Sequence, residues 1–172
     1  MAVSVESGTW QLDPSASSVA LKHKTMWGMV TVKGAFTKFS GQGEVRGDGT
    51  VRGTVTLDAA SLDTKNAKRD KHLRSADFFD SDKYPAITFT VEGAELKADG
   101  TARVSGRLSV RGISRPHSFT ARVSSVGRDG VTVETQLLVD RNQFEMGWNQ
   151  MGMLRGLTTV DAVLRFARTT AS

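Results

Sequence analysis

Apolar and polar side chains alternate along most of this chain. Within residues 86–91, the side chains of Ile87, Phe89 and Val91 alternate with those of two threonines. A period of two places successive side chains on opposite faces of a β-strand, so that one face is dry and the other is wet. The same alternation recurs in about eight segments of the chain, which is typical of an all-β protein.

Short turns that contain aspartate and glycine separate several of these segments. They are GDG at 47–49, ADG at 98–100 and RDG at 128–130. Such turns join neighbouring antiparallel strands as hairpins, so the segments predict an antiparallel meander. A meander of this length buries its dry face either against a second sheet or by closing into a barrel. Alternation by itself does not decide between a sandwich and a barrel.

One charged block, NAKRDKHLRSADFFDSDKYP at 66–85, interrupts the strand pattern. We expect two short helical turns within residues 66–83. Thr64 or Asn66 is placed to cap the first turn. Ser75 is placed to cap the second, with Asp77 near its positive end.

The charges of this block allow two interpretations. They can pair with one another at helical spacing and form a solvated face. Alternatively, the block is a lid in which Arg69 or Arg74 contacts a polar head group such as a phosphate. In both interpretations Phe78 and Phe79 anchor the block to the rest of the protein.

The charged block resembles the signature of the YceI-like, lipocalin-like family of polyisoprenoid-binding proteins, and further motifs of that family occur in order. They are WQLDPSASSVALKHK at 10–24, VKGAF at 32–36, VTLDAASLDT at 55–64, GRLSVRGISRP at 106–116 and DRNQFEMGW at 140–148. The resemblance implies an all-β, eight-stranded antiparallel lipocalin-like barrel with a short helical insertion. It also implies a single lipid-binding domain over residues 8–168, with flexible termini at 1–7 and 169–172.

Large apolar residues on the inward side of the alternation form the first candidate ligand site. They are Val19, Leu21, Phe36, Ile87, Phe89, Leu108, Phe119, Leu137, Leu164 and Phe166. For any one of them a filled core is the simpler interpretation. Taken together they favour a cavity, because each buried methylene contributes about 0.8 kcal/mol. Roughly ten buried carbons would give micromolar affinity after the costs of association.

Methionines and tryptophans gather in two glycine-containing segments that break the alternation. With a nearby phenylalanine they form the second candidate site: Met26, Trp27, Met29, Phe144, Met146, Trp148, Met151 and Met153. Methionine is flexible and polarisable, so it suits a surface that adapts to an apolar guest. Three interpretations stay open, namely a ligand portal, a plug of core residues at the barrel end, and a dimer interface.

The three histidines do not form a metal motif. His23 and His117 share the inward side of their strands and His72 belongs to the charged block, so no HxH or HExxH spacing occurs. The family shows Lys-His at positions 22–23, and this makes His23 a candidate for ligand contact. The chain has no cysteine, no GxSxG elbow and no glycine-rich phosphate loop, and we expect no catalysis and no cofactor besides the bound lipid.

Composition narrows the classes of partner. The chain has 172 residues, 38% hydrophobic content and a net charge of +5. The basic residues are spread among acids, which argues against specific nucleic-acid binding and allows weak contact with anionic membrane surfaces. No secretory leader and no apolar run of roughly 20 residues is visible, so we expect a cytoplasmic protein.

The resulting prediction is non-enzymatic binding, sequestration or transport of a long-chain isoprenoid or related amphiphile inside a barrel. A polyprenyl or isoprenoid-quinone-like molecule fits this prediction best. The alternative from another class is a stress or interaction protein with a filled barrel, whose Met/Trp loops dock a partner or a second copy of the chain. An enzyme acting on a lipid has the least support.

Overall fold

Eleven strands and one α-helix form in the computed structural model, which describes residues 5–25, 30–75, 78–140, 144 and 158–169. The strands are β1 (Gly8–Leu12), β2 (Ser18–Thr25), β3 (Val30–Phe36), β4 (Phe39–Val45), β5 (Val51–Asp58), β6 (Leu62–Asp63), β7 (Ala86–Leu96), β8 (Thr101–Val110), β9 (Ile113–Val126), β10 (Gly130–Val139) and β11 (Thr158–Thr169). The helix, α1, spans Ala67–Arg74.

The strands close into an eight-stranded antiparallel barrel, as the resemblance predicted. Its order is β1-β4-β5-β7-β8-β9-β10-β11, and pairing of β11 with β1 completes the ring. In that last pair Leu12 lies opposite Phe166 and Thr9 lies opposite Thr169. Strand β8 shows why the sequence folds this way, since its buried and exposed residues alternate almost without exception.

Three further strands extend the wall at one end of the barrel. Strand β11 is long enough to pair with β1 near its C-terminal end and with β2 near its N-terminal end. A 3-10 turn at Pro14–Ala16 separates β1 from β2, and the Asp13 carboxylate accepts a hydrogen bond from the Ser15 N–H at 3.0 Å. Strands β3 and β6 continue the sheet beyond β2.

The turns with aspartate and glycine join strands as predicted. Between β4 and β5, the Arg46 N–H donates to the Thr50 carbonyl at 2.9 Å, and Gly49 has a φ of 89°. The Asp48 carboxylate accepts a hydrogen bond from the Thr50 N–H at 2.9 Å. Hydrogen bonds from Thr50 lower the pKa of Asp48 below its usual range. The hairpin between β7 and β8 repeats this arrangement at Asp99 and Thr101.

The charged block begins with one helix, α1. The side chain of Asn66 accepts a hydrogen bond from the Arg69 N–H at 3.0 Å, so Asn66 caps α1 at its N-terminus. Ser75 is the C-cap residue of this helix, and its N–H donates to the His72 carbonyl at 3.0 Å. No helix of the described residues is long and apolar enough to cross a membrane.

The described residues that follow α1, 78–84, form consecutive hydrogen-bonded turns. Asp80 adopts a φ of 48°, a left-handed conformation that interrupts a helical repeat. Turns therefore follow α1 where a second helical turn was predicted, and the conformation of Asp80 keeps them from continuing as a helix. Asp77, its proposed capping partner, lies outside the described residues.

Phe78 and Phe79 anchor the block to the barrel, as predicted. Phe78 is buried in the core, and the ring of Phe79 meets that of Phe36 edge-on at 6.2 Å between centroids. Polar contacts fix the other side of the block. Asp70 and Arg69 both form hydrogen bonds with Thr64, which follows β6 directly.

Candidate functional site: an apolar barrel interior

Two adjoining apolar chambers lie inside the barrel, and both are partly open to solvent. The larger has a volume of about 320 Å³ and the smaller about 160 Å³. Two separate groups of core side chains surround them. Phe89 packs against both groups and therefore lies where the chambers meet.

The larger chamber lies beside β1 and the hairpins at one end of the barrel. Trp10 and Val5 line it, and the Trp10 indole N–H donates to the Glu6 carbonyl at 3.0 Å. Small residues on the inward face leave space here. Ala102 and Ala121 line this chamber, and each is at least 95% buried. A leucine or phenylalanine at either position would occupy the same space.

The smaller chamber lies at the other end, next to the charged block. Phe79 lines it on that side, while Val139 and Thr158 line it where β10 ends and β11 begins. Thr135 and Thr158 supply its hydroxyl groups. One nitrogen of His23, Nδ1, lies 2.9 Å from the Thr158 hydroxyl oxygen, so His23 is tied to a residue of the chamber wall.

Beside the smaller chamber, β9 and β10 pair over only part of their length. Their register runs from Val126 opposite Gly130 to Arg122 opposite Glu134. The register between β8 and β9 continues to Ile113. Beyond the paired part, the Thr135 hydroxyl donates to the Thr120 carbonyl at 3.2 Å. Strands β9 and β10 are thus paired over a shorter stretch than β8 and β9.

Two phenylalanines lie side by side on the barrel wall where the chambers meet. Phe89 and Phe119 line both chambers, together with Val55 and Leu164. The Phe89 and Phe119 ring centroids are 5.3 Å apart, with an interplanar angle of 56°. This distance is within the range of favourable aromatic pairs. We call these two residues the waist pair.

A glycine on β8 makes room for one ring of the waist pair. A Cβ atom on Gly106 would lie 3.0 Å from two atoms of the Phe89 ring and would clash with the Thr90 carbonyl. The absence of a side chain therefore lets the Phe89 ring lie directly against β8.

The structure places all ten inward-facing candidates on the chamber walls. Val19, Leu21, Phe36, Ile87, Leu108 and Leu137 line the smaller chamber, Phe166 lines the larger, and Phe89, Phe119 and Leu164 line both. Their contact with a ligand stays a prediction. Phe144 is 1% exposed and packs in the core group beside the smaller chamber. Met26, Trp27, Met29, Met146, Trp148, Met151 and Met153 lie outside the described residues.

The sequence prediction missed most of the larger chamber. Trp10, Ala102, Val104, Ala121, Val123 and Val131 line it and were not among the candidates. In β8 and β9 the same period-two alternation places several of these side chains inward. The candidate set favoured large residues, whereas a cavity forms where inward side chains are small.

The electrostatics of the interior are mild. Partial burial of His117 on β9 lowers its pKa below the usual value, since the charged imidazolium loses hydration there. Within the described part of the chain, no cluster of three or more His, Cys, Asp or Glu residues is arranged to hold a metal ion. The interior can therefore offer an apolar guest shape and contact area, with few polar anchors.

A closed antiparallel barrel with an apolar interior defines a class of proteins that can enclose one small ligand. Within that class, the chain belongs to the YceI-like domain family, whose model matches residues 10–166.

Relatives by sequence include UPF0312 proteins from several bacteria. The chain is 40% identical to that of Ectopseudomonas mendocina over 76 residues, which is 44% of this chain and 40% of the relative. It is 36% identical to one from Vibrio vulnificus over 57% of this chain and 53% of the relative. These matches thus span about half the length of the relatives, or less. A UPF0312 protein of Staphylococcus aureus is 31% identical over 69% of this chain and 71% of its own length.

Solved structures share the fold. BcnA of Burkholderia cenocepacia superimposes with a TM-score of 0.81 at 23% identity, over 90% of this chain and 98% of its own. A polyisoprenoid binding domain from Saccharophagus degradans, implicated in plant cell wall breakdown, gives a TM-score of 0.76 at 19% identity, over 93% of this chain and 98% of its own. At these identities the likeness concerns the fold.

Proposed function

We propose that this protein binds a long-chain amphiphile of the isoprenoid class, with the apolar tail inside the barrel and no reaction catalysed. A polyprenyl or isoprenoid-quinone-like molecule fits best, and no other cofactor takes part. The observation that carries the proposal is the pair of adjoining apolar chambers, of about 320 and 160 Å³. The similarity of the fold to a domain described as polyisoprenoid binding supports the same class of ligand.

The energetics favour a long apolar tail over a small polar guest. Each methylene moved from water into the chambers contributes about 0.8 kcal/mol. Roughly ten buried carbons would exceed the cost of association and give micromolar affinity. Because the interior supplies few polar partners, chain length and shape would determine which ligand binds. Such a protein would sequester or carry its ligand.

Mass spectrometry of organic extracts from the purified protein tests the proposal. We expect a co-purifying lipid, and uptake of prenols measured by displacement of a fluorescent apolar probe. A protein that yields no lipid and takes up no prenol would contradict the proposal.

A substitution inside the larger chamber locates the binding site. Ala121→Phe should fill space in that chamber and weaken binding of long prenols at least tenfold. The matched control is Thr120→Phe, because Thr120 is exposed on the other face of the same strand. Equal affinity in both folded variants would mean that the ligand does not lie in the larger chamber.

A further inference from the structure

Charged residues of opposite sign face each other across neighbouring strands of the barrel at three places. They are Glu44 and Arg52 on β4 and β5, Glu95 and Arg103 on β7 and β8, and Glu134 and Arg122 on β10 and β9. All six residues are exposed. Opposite charges at directly opposed positions stabilise a sheet, whereas like charges there destabilise it. These pairs therefore keep the outer surface close to neutral where they lie.

One exposed pair on the outer surface has like charges instead. Lys22 of β2 lies directly opposite Lys33 of β3, and such positions are about 5 Å apart between Cα atoms. Neither lysine forms an ion pair with a carboxylate of the described residues. On the next strand, β11, Asp161 lies opposite Ala20 and accepts a hydrogen bond from the Gln136 side chain at 2.9 Å. The sheet thus holds two adjoining positive charges at a cost in stability.

Lys65 adds a third exposed positive charge beside this pair. It follows Thr64, and a Cβ atom on Gly34, the neighbour of Lys33, would lie only 2.8 Å from the Thr64 Cγ2 atom. The turn that carries Lys65 therefore runs alongside β3. The Lys65 ammonium lies 3.4 Å from the Asp63 carboxylate, but the lysine side chain is 89% exposed. An ion pair at so exposed a site contributes little.

Two more exposed lysines lie on α1. Lys68 and Lys71 are exposed, and their spacing of three residues places them at neighbouring positions of the helix surface. The hydrogen bonds between Asp70 and Thr64 hold this helix to the end of β6, next to Lys65. We call these five residues the lysine patch: Lys22, Lys33, Lys65, Lys68 and Lys71.

The sheet around Lys22 and Lys33 suits contact with a flat anionic surface. The adjoining positions on the same side of the sheet hold Ala20 opposite Ala35. These small side chains leave the lysine ammonium groups prominent, and they offer no aromatic ring on which a nucleic-acid base could stack. Clusters of roughly four to eight basic residues bind anionic lipid surfaces, and each lysine raises the partition constant about fivefold.

The lysine patch lies on the outer side of the wall around the smaller chamber. Leu21 lines that chamber, and Lys22 follows it in β2, so the lysine side chain points to the opposite, outer face. Phe79, which also lines the chamber, belongs to the charged block that begins with α1. Docking through the patch would therefore bring this part of the barrel to a bilayer, where amphiphiles with long apolar tails reside.

We infer that the lysine patch docks this protein on the surface of a bilayer that contains anionic lipids. The charge of the patch selects an anionic partner. The choice of a bilayer over a nucleic acid rests on the proposed function, whose ligand is a membrane amphiphile. Docking itself does not require an occupied barrel. The bilayer surface neutralises the like charges of Lys22 and Lys33, which the sheet leaves opposed.

Cosedimentation with lipid vesicles tests this inference. For the wild type at low ionic strength, we expect at least about tenfold tighter binding to vesicles that contain phosphatidylglycerol than to vesicles of phosphatidylcholine alone. About 1 M NaCl should abolish the difference, because the Debye length falls to about 3 Å. In Lys22→Gln/Lys33→Gln, binding to the anionic vesicles should weaken about 25-fold, since two contributions of about fivefold are lost.

Arg103→Gln/Arg122→Gln is the matched control, because it removes the same net charge at exposed positions that face glutamates. Its binding should weaken less than about threefold. Lys22→Arg/Lys33→Arg should bind as tightly as the wild type. The Lys22→Gln/Lys33→Gln variant should resist urea at least as well as the wild type, because a like-charge pair is gone. Its loss of binding then cannot come from unfolding.

Equal weakening in the two glutamine variants would overturn the inference, since net charge alone would then explain the binding. Equal binding of the wild type to both kinds of vesicle would overturn it too. So would tighter binding to a single-stranded oligonucleotide than to anionic vesicles, because the patch would then serve a nucleic acid. Prenol uptake by the same variants should be unchanged. Uptake without docking leaves the proposed function standing, whereas docking without uptake supports the inference and contradicts that function.

Discussion

The carboxylate of Asp70 accepts hydrogen bonds from both the backbone N–H and the hydroxyl of Thr64, the former at 3.0 Å. Asp70 is 9% exposed and Thr64 is 3% exposed, so these bonds form away from water. They join the first turns of α1 to the end of β6. One buried carboxylate therefore contributes to the polar fixation of the charged block, together with Arg69.

Removing that carboxylate should weaken the attachment of the block. We expect Asp70→Ala to lower the free energy of unfolding by about 1–3 kcal/mol, because a buried N–H and a buried hydroxyl lose their acceptor. Urea denaturation measures this change. Asp82→Ala is the control, since Asp82 is exposed in the same block and its loss should change stability by less than about 0.5 kcal/mol. Equal effects of the two substitutions would show that the buried contact contributes little.

Arg69 is held by Thr64, which argues against a role in binding a head group. Its Nε donates to the Thr64 hydroxyl at 2.8 Å, and its Nη2 donates to the Thr64 carbonyl at 2.7 Å. We expect Arg69→Ala to cost about 1 kcal/mol of stability and to leave the ratio of affinities for a prenyl phosphate and its neutral prenol unchanged.

Isothermal titration of both lipids measures that ratio, with Lys68→Ala as the exposed control. Arg74→Ala belongs in the same series. For either arginine, a variant that weakens the prenyl phosphate more than the prenol would support the head-group interpretation, because only the phosphate loses a charge-assisted hydrogen bond.

Gly106 should tolerate no side chain. We expect Gly106→Ala to destabilise the protein by about 1–3 kcal/mol, because the new methyl group clashes with the Thr90 carbonyl and crowds the Phe89 ring. Gly93→Ala on the neighbouring strand is the matched control, since a Cβ atom there meets nothing within 4 Å. Thermal unfolding compares the two. A Gly106→Ala variant as stable as Gly93→Ala would mean that the Thr90 carbonyl and the Phe89 ring can move to make room for the methyl group.

His117 should make stability depend on pH. Burial lowers the pKa of His117 in the folded protein below the ordinary value of 6.5, so the unfolded chain binds the proton more readily. The contribution to stability is therefore complete above a pH of 6.5 and is lost as the pH falls below that value through the lower pKa of the folded state. We expect His117→Gln to flatten the decline in unfolding free energy between about pH 8 and about pH 5. Parallel curves for variant and wild type would contradict this assignment.

Local patterns predicted the strands well because a strand's two faces follow from a period of two. Strand β8 has the alternation that its sequence showed, and the hairpin turn after Asp48 forms with glycine at positive φ. The end of the charged block was predicted less well. The backbone of Asp80 turns left-handed in the structure, and although aspartate tolerates this conformation, the block contains several aspartates and the sequence did not single out this one.

The sequence by itself determined which side chains face inward, since alternation along a strand is a local property of the backbone. Its motifs also identified the family and hence the closure of the barrel. Only the tertiary structure decided how the interior is divided. Phe89 and Phe119 lie on strands that do not pair with each other, and their contact depends on the two registers through β8. The larger chamber likewise exists because small residues such as Ala102 and Ala121 line one region of the wall, where the register between β8 and β9 places them opposite each other.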